Sequence, residues 1–520
     1  MRHRSRSRSR EQASESVANH RGAMGLAREG QKGCSWKGRE TKGTTTWLGR
    51  KKKEHLLLPL NEAQRAVVQL VASGRSVFLT GGAGTGKSRV LSVISRHVKQ
   101  FIALTASTGT AAVLLGGQTL HSWSGIGLAR GDTSDLVRMV LQDARALARW
   151  QEASLLVIDE ISMISGRLLD ILDMIGREAR RCKTRPFGGL QLLLCGDFEQ
   201  LAPMDLEEGG WAFEADCWSD AVEMVVELMV PVRLDPDECA YRSALEDVRT
   251  GMLRDSTWSF LNWLATRSRE PWRSPVSLVG TNAKADKINQ KELANLLEST
   301  AVEATDFLAC SNRSATLPPN FKIAPTRLKL CVGALVVLTQ SVTVDDQLFP
   351  NGTRCKVVSF VRVSSRLYDP RVAGVHFDPV LTPDERSYLQ KHSGILPRLE
   401  PIQRSELPES RDTSVKPANE FVLYPASFEV HGGGCALQLP VRLSWALTVH
   451  RAQGSNLDAV IVHLSDLFMP GHAYVALSRC RKANDLWIEG LPPRSRNGAI
   501  VAFSPDHRVA AFYRALREAE

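Results

Sequence analysis

Five residues have the types and spacing to handle a chain of phosphates and a divalent ion. Residues 81–88 read GGAGTGKS and fit the pattern G-x-x-x-x-G-K-[ST] without a mismatch. Gly81, Gly82, Gly84 and Gly86 let the backbone N–H groups around Ala83 and Thr85 turn inward about an anion. Lys87 is spaced to reach the β and γ phosphates, and Ser88 to hold Mg²⁺. Seventy residues on, the apolar run 155–158 ends in two carboxylates, Asp159 and Glu160. Asp159 suits a metal shell, and Glu160 suits polarisation of an attacking water. Gln200 closes a similar strand end, GDFEQ at 196–200, from which it can contact a γ-phosphate and report its loss.

These groups need a scaffold that brings strand ends together. Residues 76–80 predict a buried strand, and Val90, Leu91, Ile94 and Val98 after the glycine-rich stretch predict a helix. Strand, glycine-rich loop and helix in that order are the setting a phosphate loop requires, its anion facing the helix N-terminus. A helix is predicted from about Asn61 to Gly74. Apolar runs at 101–105, 155–159 and 191–196, with helical stretches between, predict an α/β fold with a parallel sheet covered on both faces. A second set at 276–281, 335–339, 446–449 and 459–464 has no phosphate loop of its own. Residues 328–440 are β-rich, with turn signals such as Asn351-Gly352, and predict a small β-barrel inserted in the second α/β domain. The five prolines and many charges of 381–420 predict a solvated, flexible loop within it.

The formal charge of +10 is unevenly spread. Residues 1–53 hold fifteen Lys and Arg against four Glu, a balance of +11, so the rest of the chain sums to −1. A nucleic-acid groove in the folded part must therefore come from local clustering, not bulk charge. The first 55 residues lack apolar periodicity and predict a basic, disordered tail or targeting segment. Their Arg- and Ser-rich start fits mitochondrial targeting, with a nuclear signal or nucleic-acid-binding arm as the alternative. None of the ten cysteines forms C-x-x-C, and no apolar run has the length of a membrane span.

Taken in order, the motifs resemble a superfamily-one DNA helicase of the PIF (petite integration frequency) type, itself similar to RecD-like helicases. The matching stretches are LNEAQ (60–64), GGAGTGKS (81–88), TASTGTAA (105–112), GGQTLHSW (116–123), VIDEISMI (157–164), GDFEQLAPM (196–204), VRL (232–234), NGTR (351–354), WALTVHRAQG (445–454) and YVALSR (474–479). They span about residues 56–490. The resemblance implies two RecA-like P-loop NTPase domains with ATP between them: 56–230, then 231–327 with 441–520, the second carrying the insertion 328–440, read as SH3-like. It implies that Gln64 meets adenine and that Arg233 and Arg479 reach the transferring phosphoryl group from the second domain. Single-stranded DNA is expected across both domains, at Thr108, Gly109, His121, Trp123, His450, Gln453 and Gly454. For Trp123, stacking on a base and ordinary core packing fit the sequence equally well.

The activity so implied is 5′-to-3′ translocation on single-stranded DNA, with unwinding of forked or tailed duplexes. A monomer working in repair, recombination and genome or telomere maintenance is expected. The chain departs from the family pattern at Leu234, Ala202-Pro203, Cys355, Arg451 and His472. Leu234, Cys355 and His472 motivate a rival reading, a DNA-binding P-loop scaffold with weak or no unwinding. Intact Lys87, Asp159, Glu160, Gln200 and Arg479 argue against it.

Overall fold

The computed structural model describes residues 60–97, 101–127, 129–232, 237–269, 275–300, 302–311, 325–344, 347–349, 352–363, 383–402, 420–429, 435–493 and 501–519. The basic tail, the segment holding Arg233 and Leu234, and Asn351 lie outside these. The chain divides into two compact units. One comprises residues 60–506. The other comprises 1–59 and 507–520, of which the helix His507–Ala519 is described.

The first α/β domain opens with the helix Glu62–Ala72, whose Asn61 cap accepts from the Gln64 amide while Gln64 Oε1 accepts from the Asn61 N–H. This reciprocal box satisfies two donors that a helix start would otherwise leave unpaired. Six strands follow: β1 (Val77–Gly81), β2 (Ile102–Ala106), β3 (Gln118–Thr119), β4 (Leu155–Asp159), β5 (Gln191–Cys195) and β6 (Met224–Leu228). They pair in the order β3-β2-β4-β5-β1-β6, all parallel. β1 and β4 are buried at every position, as a sheet covered on both faces demands. The order places β4 and β1 on either side of β5, so the carboxylates, the GDFEQ loop and the phosphate loop leave the same sheet edge.

The second domain opens with the helices Cys239–Thr250 and Asp255–Thr266, whose Tyr241, Leu245 and Leu261 share its core, and continues with β7 (Val276–Val279) and the helix Asn282–Thr300. The chain then leaves for the β-rich insertion: β8 (Thr305–Leu308), β9 (Cys310–Ser311), β10 (Arg327–Leu330), β11 (Leu335–Leu338), β12 (Val342–Val344), β13 (Gln347–Phe349), β14 (Arg354–Arg362), β15 (Ile395–Pro401), β16 (Phe421–Val422), β17 (Ala426–Glu429), β18 (Cys435–Gln438) and β19 (Val441–Leu443). Its largest sheet runs β16-β15-β14-β11-β19, antiparallel throughout. The chain returns as β20 (Ala446–Thr448), β21 (Val460–His463) and β22 (Leu486–Glu489), which with β7 form a parallel sheet ordered β20-β7-β21-β22. Buried Asn289 supports β20, donating to Ala446 O at 3.0 Å and accepting from Ala446 N at 2.8 Å.

Three expectations are corrected. The run at 335–339 is no parallel strand: β11 pairs antiparallel with β14 and β19 inside the insertion, where Val336 and Leu338 are buried. The insertion begins before 328 and ends after 440, because Phe307 of β8 shares its core and β19 runs to Leu443. The predicted loop 381–420 contains the helix Pro383–Lys391 and the strand β15. Tyr388, Leu389, Leu396 and Leu399 bury apolar surface that outweighs the local polarity; residues 403–419 lie outside the description. No helix among the described residues is long and apolar enough to cross a membrane.

Candidate nucleotide site

The phosphate loop leaves β1 and enters the helix Lys87–His97. Gly84 and Gly86 sit at φ +83° and +92°, where only glycine is unstrained. Gly86 has a second reason: a Cβ there would meet Gln64 Nε2 at 2.5 Å. Lys87 Nζ donates to Gly81 O at 2.6 Å and Gly82 O at 3.2 Å, while Ser88 is exposed at the helix start. The expected adenine contact, Gln64, is buried and donates to Thr85 O at 2.9 Å, so in this arrangement its amide braces the loop.

Asp159 and Glu160 arrive together at the end of β4. Burial and the adjacent Glu160 push the Asp159 carboxyl up to about 7, opposed by hydrogen bonds from Cys195 and the Glu160 amide and by Lys87. A site that raises a carboxyl this way and faces it with an ammonium suits a divalent ion, which supplies the charge that burial lacks. Glu160 is left-handed, φ 56° and ψ 48°, a conformation that costs a non-glycine residue and marks functional turns. Gln200 is buried with its Oε1 unpartnered among the described residues, consistent with a polar ligand at that edge. The residues present therefore fit ATP with Mg²⁺: Ser88 and Asp159 would hold the ion, Lys87 and the loop amides the phosphates.

The second sheet reaches this centre. Gln453 Nε2, on the loop after the helix Val449–Ala452, donates to Glu160 Oε2 at 3.0 Å and to Ser162 Oγ at 3.5 Å. Gly454 is left-handed, and a Cβ on it would lie 3.3 Å from Glu160 Oε1 and 3.8 Å from Ala111 of the helix Gly109–Leu114. That helix carries Gly109 and is entered through Thr108, whose Oγ1 accepts from Ala111 N. Two of the expected DNA motifs thus converge on Glu160 and its neighbours.

Arg479 lies where Glu160 acts on it electrostatically, but burial dominates and lowers its pKa. Its Nε donates to Val475 O at 2.7 Å, Nη1 to Ala452 O at 3.4 Å and Ser455 O at 3.3 Å, and Nη2 to Ser478 Oγ at 2.7 Å. The guanidinium is thus committed to its own domain. Trp123 is core: it is buried and packs on Trp150 with ring centroids 4.7 Å apart, leaving no face for a base. His121, on the same short helix, is half-buried. His450 is half-buried against His472, their rings 5.2 Å apart at 89°. His472, the departure before YVALSR, is fully buried between His450 and Phe468.

Three groups escaped the sequence reading. Arg249, on the helix Cys239–Thr250, is buried and donates to both Asp197 oxygens, at 3.3 and 3.2 Å. Tyr474 donates to Asp197 Oδ2 at 3.2 Å and accepts from Ala83 N at 2.6 Å. Phe198 stands among Phe78, Trp211, Phe213 and Trp218, with centroid distances from 4.9 to 5.9 Å, and so anchors the loop carrying Asp197 and Gln200. The aromatic spacing of FEADCW (213–218) was the available signal for Phe198; nothing local marked Arg249.

A family model described as PIF1-like helicase matches residues 59–246. The ATP-dependent DNA helicase PIF1 of Candida albicans is 31% identical over 534 residues, covering 89% of this chain and 57% of that protein. The chain spans 62% of the Saccharomyces cerevisiae relative, so it is shorter than both. It is 31% identical to the ATP-dependent DNA helicase Pif1 of Bdellovibrio bacteriovorus, covering 88% of this chain and 92% of that one. The crystal structure of Pif1 helicase from Candida albicans superposes with TM-score 0.72 at 31% identity, over 89% of this chain and 99% of that one.

Proposed function

Because the chain belongs to the PIF1-like helicase family, we propose that it is an ATP-dependent DNA helicase that moves 5′ to 3′ on single-stranded DNA. One observation carries the reading: Gln453, from a motif of the second sheet, hydrogen-bonds the carboxylate of Glu160 in the first. A strand-binding motif that touches the group polarising the attacking water couples grip to hydrolysis.

Lys87 and the loop amides bind the phosphates, and Glu160 takes the proton from water. Mg²⁺, when bound, neutralises charge on the phosphates. Gln453 holds the Glu160 carboxylate in one orientation. Arg479 leaves its carbonyl partners for the γ-phosphate as the domains close, and Arg233 acts on the same phosphoryl group. Repair, recombination and telomere maintenance, on forked or tailed duplexes, are the processes proposed, with the mitochondrion as the compartment. Unwinding of 5′-tailed against 3′-tailed duplexes by the purified chain tests the reading. Unwinding of the 5′-tailed form alone is expected; the reverse preference, or ATP turnover that DNA does not stimulate, overturns it.

A further inference from the structure

Ala83 is part of the phosphate loop, yet its N–H donates to a hydroxyl 391 residues away, Tyr474 Oη. A Cβ on Gly82 would lie 3.4 Å from the same oxygen. The hydroxyl is itself held, because it donates to Asp197, which accepts two N–H bonds from Arg249. Glu227 of β6 and Glu246 also accept from Arg249, at 3.5 and 3.4 Å. Asp197, Arg249 and Tyr474 are all buried. Burial raises the Asp197 carboxyl, but Arg249 and Lys87 outweigh it and keep the group below its ordinary range. A charged acceptor in a dry setting makes these strong, directional bonds.

Tyr474 sits on the helix His472–Leu477, and Arg479 follows two residues after that helix ends. The stretch 472–479 therefore carries both the hydroxyl that touches the loop and an arginine on which Glu160 acts electrostatically. A shift of that stretch moves the two together.

We propose that Tyr474, seated by Asp197 and Arg249, is a positioning residue that keeps the phosphate loop in register with Arg479. The second sheet's position is thereby transmitted to Ala83 as well as to Glu160. This inference rests on the nucleotide-site reading above.

The test compares Tyr474→Phe, Arg249→Lys and their double variant in the full chain, with Lys87→Ala as reference. Tyr474→Phe keeps the ring, and Arg249→Lys keeps the charge but loses the fork. Measured are DNA-stimulated turnover, the Kd of a fluorescent ADP analogue, and the ratio of single-strand affinities with ADP and with a non-hydrolysable ATP analogue. Each single variant should lower kcat roughly tenfold, within the range that misplacement by less than an ångström carries. The ADP Kd should barely move, the affinity ratio should approach one, and the double variant should be no worse than either single one, since all act through one chain of contacts. A purely structural role would lower the melting temperature and the active fraction without changing the affinity ratio. Wild-type kcat in Tyr474→Phe, additive losses, or an ADP Kd that weakens in step with kcat overturns the proposal. If Lys87→Ala turns over like wild type, the nucleotide reading itself fails; if only Lys87→Ala is inactive, the Tyr474 link alone fails.

Discussion

Glu160 is held on three sides: by the left-handed turn of its own backbone, by the Gln453 amide, and by Gly454, which has no side chain to displace it. Such restraint fits a base that must meet one water in one geometry. Glu160→Gln keeps the size and removes the base, so turnover should fall at least roughly 10²-fold while ATP still binds. Lys87→Ala should weaken nucleotide binding and turnover together, because it deletes a cation on the β and γ phosphates. Fluorescent nucleotide titration and steady-state turnover, run separately, check this; equal loss of binding in both variants contradicts the assigned roles. Arg479→Ala should bind ATP and single-stranded DNA but lose turnover roughly 10³-fold. Arg479→Lys should not restore it, since an ammonium lacks the planar fork. Retention of more than about a tenth of the DNA-stimulated rate by Arg479→Ala would place the arginine away from the phosphate.

Two elements position most of the site. The GDFEQ loop depends on Phe198, whose ring is surrounded by four others. Phe198→Ala leaves a cavity there and should cost about 3–5 kcal/mol of stability, read as a lowered denaturation midpoint, with turnover reduced in the folded fraction. The helix His472–Leu477 begins with a buried imidazole whose two nitrogens have no partner among the described residues. Burial, with His450 beside it, holds the His472 pKa down to about 4 against an ordinary 6.5. The unfolded chain therefore binds this proton more readily than the folded one. The stability at stake is fully present above pH 6.5 and is lost as pH falls toward 4. At about 1.4 kcal/mol per unit, His472 should account for about 2 kcal/mol between pH 6.5 and 5. Denaturant midpoints at those two pH values check this: the loss should be smaller in His472→Gln, and an equal loss in both proteins rules the assignment out.

Across the whole molecule, the Gln453–Glu160 bond joins residues 293 positions apart and ties the second parallel sheet to the candidate nucleotide site of the first. A double-mutant cycle of Gln453→Ala and Glu160→Gln should be far from additive in kcat, because Gln453 acts through the carboxylate that Glu160→Gln removes. Independent losses would mean that the motif acts elsewhere. The phosphate loop, the paired carboxylates and the first parallel sheet were legible in the chain because each depends on neighbours within a few residues: a glycine φ, an apolar run, a helix start. Trp123 was not, since base stacking and core packing ask for the same residue, and only the tertiary position beside Trp150 decides between them. The helix Pro383–Lys391 and β15 were hidden for a related reason. Their polar, proline-containing sequence reads as loop until Tyr388, Leu396 and Leu399 find a core built by strands on both sides of them in the chain, from Phe307 of β8 to Val441 of β19. Arg249 and Tyr474 lay furthest from sequence reading. A buried ion pair and a hydroxyl on a loop amide exist only once segments 52 to 391 residues apart are in contact, and local spacing carries no record of such meetings.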